Sequence, residues 1–194
     1  MDPRYRELVG RVDAFVARVG ARHASELRCG PGCDGCCRTR LTITAVEADA
    51  IASWAASEPP AVGAALAAGG RAPVDAAAVR CAALDGAGRC RIYPVRPLVC
   101  RSHGVPIRLR DPRGLPVVTA CELNFTTAGP GAADPDCVLD QELVSTTLGL
   151  IDRARREAGG GDDRPARLAL AGVLAALESG GLASPAPDSA GMTT

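Results

Sequence analysis

The sequence lacks several features that would point directly to a class of function. Its 194 residues include no lysine, only 3% aromatic residues, and no apolar run close to the ~18 residues that a membrane span needs. The 22 basic and 22 acidic residues cancel, which argues against broad electrostatic binding to nucleic acid. The charged N-terminus also lacks the apolar stretch of a signal peptide. We therefore expect a cytoplasmic protein that binds neither a membrane nor nucleic acid.

Hydrophobic periodicity predicts four helices and two hairpins. Apolar residues recur at helical spacing over 4–27 and 138–157. Thr44 and Glu47 have capping-box spacing at the start of a helix over 44–56, and Asp163 with Pro165 suits the start of another that ends near residue 178. Each hairpin is predicted around a glycine-containing turn, over 80–92 and over 105–121.

Nine cysteines are the most informative feature of the composition. Four of them form Cys-x3-Cys-x2-Cys-Cys over Cys29–Cys37, and the others are Cys81, Cys90, Cys100, Cys121 and Cys137. In a reducing compartment, clustered cysteines indicate metal or redox chemistry more often than disulfides. Because thiolates serve zinc and iron–sulfur clusters alike, the spacing leaves the metal open.

The adjacent pair Cys36 and Cys37 narrows this interpretation. Neighbouring side chains of an extended chain point in opposite directions, so the pair more naturally reaches two metals or one multinuclear cluster. A disulfide between them would close a strained ring outside the usual geometry.

The local charge around the cysteines differs from that of the whole chain. Segments 28–40 and 80–101 contain eight arginines and only two acidic residues, Asp34 and Asp85. We expect these guanidinium groups to favour thiolate over thiol. A patch that binds phosphate or an acidic partner is the alternative.

The cysteine-rich segments also resemble a known family. Cys29–Cys37, then Cys81, then the run from Cys90 through Tyr93, Arg96, Pro97 and Cys100 to Arg101 resemble the bacterial CxxCxxCC proteins, also called YkgJ-type or zinc- or iron-chelating domain proteins. The resemblance implies eight metal-binding cysteines, which are Cys29, Cys33, Cys36, Cys37, Cys81, Cys90, Cys100 and Cys121. The gap between Cys29 and Cys33 is one residue longer than the family pattern, and Cys137 lies outside it as a buried apolar residue.

Other polar residues near the cysteines are candidates for supporting roles. Tyr93, Arg96 and Arg101 could contact ligand sulfurs or a bound cofactor, although packing or ordinary ion pairs would also explain them. His103 follows Cys100 by three residues and is either an additional ligand or a nearby exposed side chain. His23 is expected on the surface of a helix, and no catalytic residue can be named.

Together these patterns predict a mainly α fold with small β-hairpins, in one compact, irregular, metal-centred domain. Its parts are an N-terminal helix (1–28), a cysteine-cluster metal-binding region (29–127), C-terminal helices (128–180) and a disordered tail (181–194). Because few large side chains are available for a core, we expect the metal to contribute to folding.

Three functions remain open at this stage. The first is a protein whose clustered cysteines hold an iron–sulfur cluster or a polynuclear iron or zinc site, with a redox role or as an accessory to a modification enzyme. The second is a zinc-binding structural or adaptor protein, and the third is a metal-dependent enzyme with an open coordination position. The expected partners are metal ions, with a protein partner left open.

Overall fold

The computed structural model describes residues 1–30, 32–73, 79–158 and 162–179, and it confirms a mainly α fold with small β elements. Over these ranges the α-helices are α1 (Pro3–Arg22), α2 (Ala45–Ala55), α3 (Pro60–Arg71), α4 (Leu98–Ser102), α5 (Gln141–Ala158) and α6 (Leu170–Ala175). The strands are β1 (Thr42–Ile43), β2 (Ile107–Arg110), β3 (Pro116–Thr119), β4 (Leu139–Asp140) and β5 (Leu168–Ala169). None of the helices in these ranges is both long and apolar enough to cross a bilayer.

Helix α1 forms because its sequence has a cap and one apolar stripe. The Asp2 carboxylate accepts hydrogen bonds from the backbone N–H groups of Arg4 (2.8 Å) and Tyr5 (3.3 Å), and Pro3 occupies the first turn. The buried face consists of Tyr5, Leu8, Val12, Phe15 and Val19. The helix ends at Arg22, and a 3-10 turn over Ala24–Glu26 takes up the rest of the predicted segment.

Helix α2 begins at the predicted capping box. Oε2 of Glu47 accepts hydrogen bonds from the N–H (2.9 Å) and the hydroxyl (3.0 Å) of Thr44. Oε1 of the same side chain accepts the N–H of Leu98 at 3.0 Å. Glu47 is 3% exposed, so this one buried carboxylate joins the start of α2 to the start of α4.

Two small sheets complete the architecture. Strands β2 and β3 form the second predicted hairpin, with Ile107 opposite Thr119, and β4 adds to β2 in parallel. Strands β1 and β5 pair antiparallel, with Thr42 opposite Ala169.

These pairings explain where the helix predictions were wrong. Helix α5 begins at Gln141 rather than at residue 138, because Leu139 pairs with Ile107. The predicted start at Asp163 and Pro165 is also wrong, since Leu168–Ala169 is strand and α6 begins only at Leu170. The predicted tail, 181–194, lies outside the described residues.

The apolar side chains form two clusters rather than one thin core. The first packs the α1 stripe against α5 and includes Leu98, Phe125 and Cys137. The second joins α2, α3 and α6 and includes Ile43, Ile92 and Leu174. A close approach of α3 and α6 requires glycine at position 70, where a Cβ would overlap the backbone of Ala175. The cysteine segments connect elements that belong to these two clusters.

Candidate metal centre

The first four cysteines lie in a loop built from tight turns. The N–H of Cys33 donates to the Gly30 carbonyl (3.0 Å), and the N–H of Cys37 donates to the Asp34 carbonyl (2.9 Å). Gly35–Cys37 forms a 3-10 turn, in which successive side chains are about 120° apart. The expectation of an extended chain at Cys36 and Cys37 was wrong, since both residues lie on this turn.

The predicted first hairpin brings Cys81 and Cys90 against this loop. The N–H of Cys81 donates to the Cys37 carbonyl at 2.7 Å, and Leu84 and Cys90 form an isolated antiparallel bridge. The Asp34 carboxylate pairs with Arg80 (3.2 Å), and this ion pair links the loop to the residue just before Cys81. Both hairpin cysteines are partly buried against the second apolar cluster.

Cys100 enters the same region on α4. Its helix is held at the start by Glu47, as described above, and on its buried side by Arg101. The Arg101 guanidinium donates to Asp13 (2.7 and 3.0 Å) and to the carbonyl oxygens of Pro94 (2.6 Å) and Arg96 (2.9 Å). Helix α4 is therefore fixed to α1 and to the segment that follows the hairpin, and these contacts set the position of Cys100.

Asn124 joins Cys29 to Cys121, and sequence reasoning did not find it. Its side-chain Nδ2 lies 3.2 Å from Cys29 Sγ and donates to the Gly104 carbonyl at 2.7 Å. Its Oδ1 accepts the N–H of Arg28 (2.7 Å), and its own N–H donates to the Cys121 carbonyl (2.9 Å). Asn124 is 4% exposed. The spacing Cys121-x2-Asn124 was the only sequence signal, and it is a common turn pattern.

The thiols influence one another in two overlapping groups. Desolvation raises the pKa of the Cys29 thiol, the hydrogen bond from Asn124 lowers it, and negative charge on Cys121, Cys33 and Cys36 raises it further. Desolvation raises the pKa of the Cys100 thiol to about 12, with further increases from Cys81, Cys37, Cys90 and Cys36. Charge on Cys36 acts on both thiols, so Cys36 electrostatically links a group of Cys29, Cys33 and Cys121 to a group of Cys37, Cys81, Cys90 and Cys100.

No three of the eight sulfurs, all of which belong to described residues, come within 4.8 Å of one another. Among the described residues, the trio of ligand atoms that lie within 4.8 Å of one another is that of His23, Asp134 and Cys137, and not a trio of the eight cysteines. Tetrahedral zinc with Zn–S bonds of about 2.3 Å places its sulfurs about 3.8 Å apart. Metal binding therefore requires the cysteine side chains to move closer together. The loop glycines Gly32 and Gly35 have open space where a Cβ would lie, so the loop has room for such a movement.

The arginines do not stabilise thiolates as the sequence predicted. Arg38 and Arg80 pair with Asp34, Arg89 pairs with Asp85, and Arg91 donates to the Leu84 carbonyl. Every cysteine with a resolved shift has a raised pKa, and Arg96 lowers that of Cys90 only in part. Burial outweighs the guanidinium charges, so the metal itself has to supply the charge that deprotonates these thiols.

The candidate supporting residues differ in their contacts and in their exposure. Arg96 lies over the Tyr93 ring at 3.9 Å and acts on Cys90, whereas Tyr93 is 61% exposed. The hydrogen bonds described for Arg101 go to Asp13 and to carbonyl oxygens rather than to a sulfur. They match the ordinary ion pair that the sequence left open as the alternative role of this residue. His103 is exposed, and its pKa is lowered by desolvation. His23 is not the surface residue expected, since its side chain is only 16% exposed, and Cys137 is fully buried as predicted.

The donor set fits a thiophilic metal. Eight sulfurs, with carboxylates directed to arginines rather than into the set, suit zinc or iron and not magnesium or calcium. Comparison with known proteins agrees on the class of metal. No curated protein and no solved structure matches the chain. Residues 28–113, which contain seven of the nine cysteines, match the CxxCxxCC family, described as "Putative zinc- or iron-chelating domain".

Proposed function

We propose that the eight cysteines Cys29, Cys33, Cys36, Cys37, Cys81, Cys90, Cys100 and Cys121 hold a polynuclear iron or iron–sulfur centre with a redox role. The observation that carries the proposal is the 3-10 turn at Cys36 and Cys37. It presents two successive thiols in the loop that also holds Cys29 and Cys33, and its Cys37 carbonyl accepts the N–H of Cys81 at 2.7 Å. Charge on Cys36 acts on members of both groups of thiols. Two isolated mononuclear sites would not need a cysteine between them. A centre in which thiolates are shared, or linked through inorganic sulfide, uses this arrangement.

The exposure of the site supports electron transfer to a partner. Cys29, Cys33, Cys36 and Cys100 are all exposed, and the exposed side chains of Tyr93 and Val99 lie next to this surface in the chain. Such a surface would let another protein approach the metal closely. The centre would accept or release an electron there, as an accessory to a modification enzyme.

The metal would order the cysteine loops rather than the whole fold. The two apolar clusters lie mainly in the helices, whereas the described residues of the cysteine loop, 29–30 and 32–37, include a 3-10 turn and are largely exposed. We therefore expect metal removal to loosen the loops first and to leave much of the helical structure in place.

A structural zinc site is the second candidate, and the number of thiols favours it. Eight thiols divided into two sets of four would satisfy two closed tetrahedral zinc ions, with no open position for a substrate. The same closed ligand sets argue against the enzyme that the sequence left open.

Anaerobic purification followed by spectroscopy and elemental analysis separates these candidates. The proposal predicts coloured protein that contains iron and acid-labile sulfide and whose visible spectrum bleaches on reduction. Colourless protein with about two zinc ions per chain would overturn the redox role and support the structural one. Protein that binds neither metal after reconstitution would overturn both.

A further inference from the structure

A second, smaller group of ligand atoms lies away from the eight cysteines. It consists of a ring nitrogen of His23, a carboxylate oxygen of Asp134 and Sγ of Cys137, all within 4.8 Å of one another. Nε2 of His23 lies 3.7 Å from Oδ2 of Asp134. These are the three donor types that zinc accepts most readily, and their separations are close to those that a tetrahedral ion imposes.

Each ligand is fixed by structure that does not depend on an ion. At the end of α1 the backbone N–H of His23 donates to the Val19 carbonyl (2.8 Å). The His23 ring packs against Phe125, with ring centroids 5.4 Å apart. Asp134 and Cys137 lie on one 3-10 turn, where the N–H of Cys137 donates to the Asp134 carbonyl at 2.7 Å. A site held on packed elements in this way loses little conformational entropy when it binds an ion.

The histidine presents an accepting nitrogen to the group. The backbone N–H of Asp134 donates to Nε2 of His23 at 3.4 Å, and a lone pair on that nitrogen is also what a metal ion needs. At this length the hydrogen bond is weak, and an ion placed between the three ligands can replace it.

The charges around the group also balance. A carboxylate and a thiolate together carry two negative charges, which match the charge of a divalent ion. Arg22 lies 3.3 Å from Asp134 but only 2.7 Å from Asp136, so it keeps a carboxylate partner when Asp134 turns to a metal. Arg18 donates to the Asp136 carbonyl at 3.1 Å.

We propose that His23, Asp134 and Cys137 form a separate mononuclear site for a zinc-like divalent ion. Asp134 is half exposed, so the fourth position faces solvent and takes a water molecule. The site goes beyond the proposed redox centre and uses the ninth cysteine, which the family pattern leaves out. When occupied, it cross-links the end of α1 to the turn that precedes β4.

Zinc titration of the protein as purified, followed by equilibrium dialysis and thermal unfolding, tests the site. We expect the wild type to bind one additional zinc per chain and to unfold at a higher temperature when zinc is present. His23→Gln keeps a hydrogen-bond acceptor for Asp134, and Cys137→Ala keeps a small buried side chain. Each should weaken this binding by at least about tenfold, since losing even an outer-shell partner has an effect of that size.

Two further variants make the result unambiguous. Asp136→Asn removes no ligand, so it should still bind the additional zinc, with a smaller loss of affinity than His23→Gln or Cys137→Ala because Arg22 is then left with Asp134. Cys100→Ser should lose metal from the eight-cysteine set and still bind this ion, which separates the two proposals. Additional binding that is unchanged in folded His23→Gln and Cys137→Ala, or absent from the wild type, would overturn the site.

Discussion

Replacing Gly104 with alanine should damage the metal centre through a single steric contact. A Cβ at position 104 would lie 2.8 Å from Cys29 Sγ and 3.1 Å from Nδ2 of Asn124. Ordinary contact begins near 3.4 Å, so the sulfur of Cys29 would have to move by about 0.6 Å and would lose part of the freedom that it needs to approach the other sulfurs. The movement would also disturb the hydrogen bond from Asn124 to Cys29.

A matched control separates this contact from backbone strain. Gly104 and Gly114 both have positive φ, +101° and +79°, but a Cβ at Gly114 would meet nothing within 4 Å. Gly114→Ala should therefore lower the free energy of unfolding by about 1–2 kcal/mol through conformation alone. Gly104→Ala should lose about 1–3 kcal/mol more through overpacking.

Denaturant unfolding and metal analysis of the two variants provide the readout. We expect Gly104→Ala to have the lower midpoint and to hold less metal than Gly114→Ala, which should keep the wild-type metal content. Equal midpoints and equal metal contents would refute the placement of Cys29 beside Gly104.

Two other predictions concern the supports of the site and the packing of its helices. Glu47→Gln should destabilise the protein by about 2–3 kcal/mol in denaturant unfolding, because the amide side chain cannot accept hydrogen bonds from both Thr44 and Leu98. The exposed control Glu157→Gln should change the free energy of unfolding little. Equal effects of the two changes would contradict the buried role of Glu47. The side-chain hydrogen bond from Arg164 is the main cause that holds the pKa of Asp162 well below its usual range, and Arg155 adds to the effect. The ionised Asp162 carboxylate therefore stabilises the fold above about pH 5, and this contribution is lost as the pH falls below about 4. Asp162→Asn should lower the free energy of unfolding by about 2 kcal/mol near neutral pH and by less in acid. A difference between variant and wild type that does not change with pH would contradict this assignment.

The parts of the fold that local chemistry determines could be predicted from the sequence. Thr44 and Glu47 carry a capping box, and the α1 stripe repeats at helical spacing, so both helices form where they were expected. The start of α6 could not be predicted in this way. Leu168–Ala169 pairs with Thr42–Ile43, far away in the chain, and this pairing overrides the local signals of Asp163 and Pro165.

The candidate site likewise has features that local sequence determines and features that depend on distant parts of the chain. The family pattern and the spacing indicated which cysteines to consider, but the side-chain directions at Cys36 and Cys37 depend on a 3-10 turn that spacing does not reveal. Asn124 contacts Cys29 from 95 positions away, so no local pattern contains it. The arginine excess was misleading because each ion pair depends on which carboxylate or carbonyl group the fold brings close.

The central claim is that the eight cysteines act as one metal centre, and the metal content of matched variants tests it most directly. Cys33→Ser and Cys100→Ser each change one of the two groups of thiols that Cys36 influences, and Cys137→Ala removes a thiol outside both groups. Iron and acid-labile sulfide per chain should fall in both serine variants after anaerobic purification and remain at the wild-type level in Cys137→Ala. Equal contents in all three variants would contradict the account.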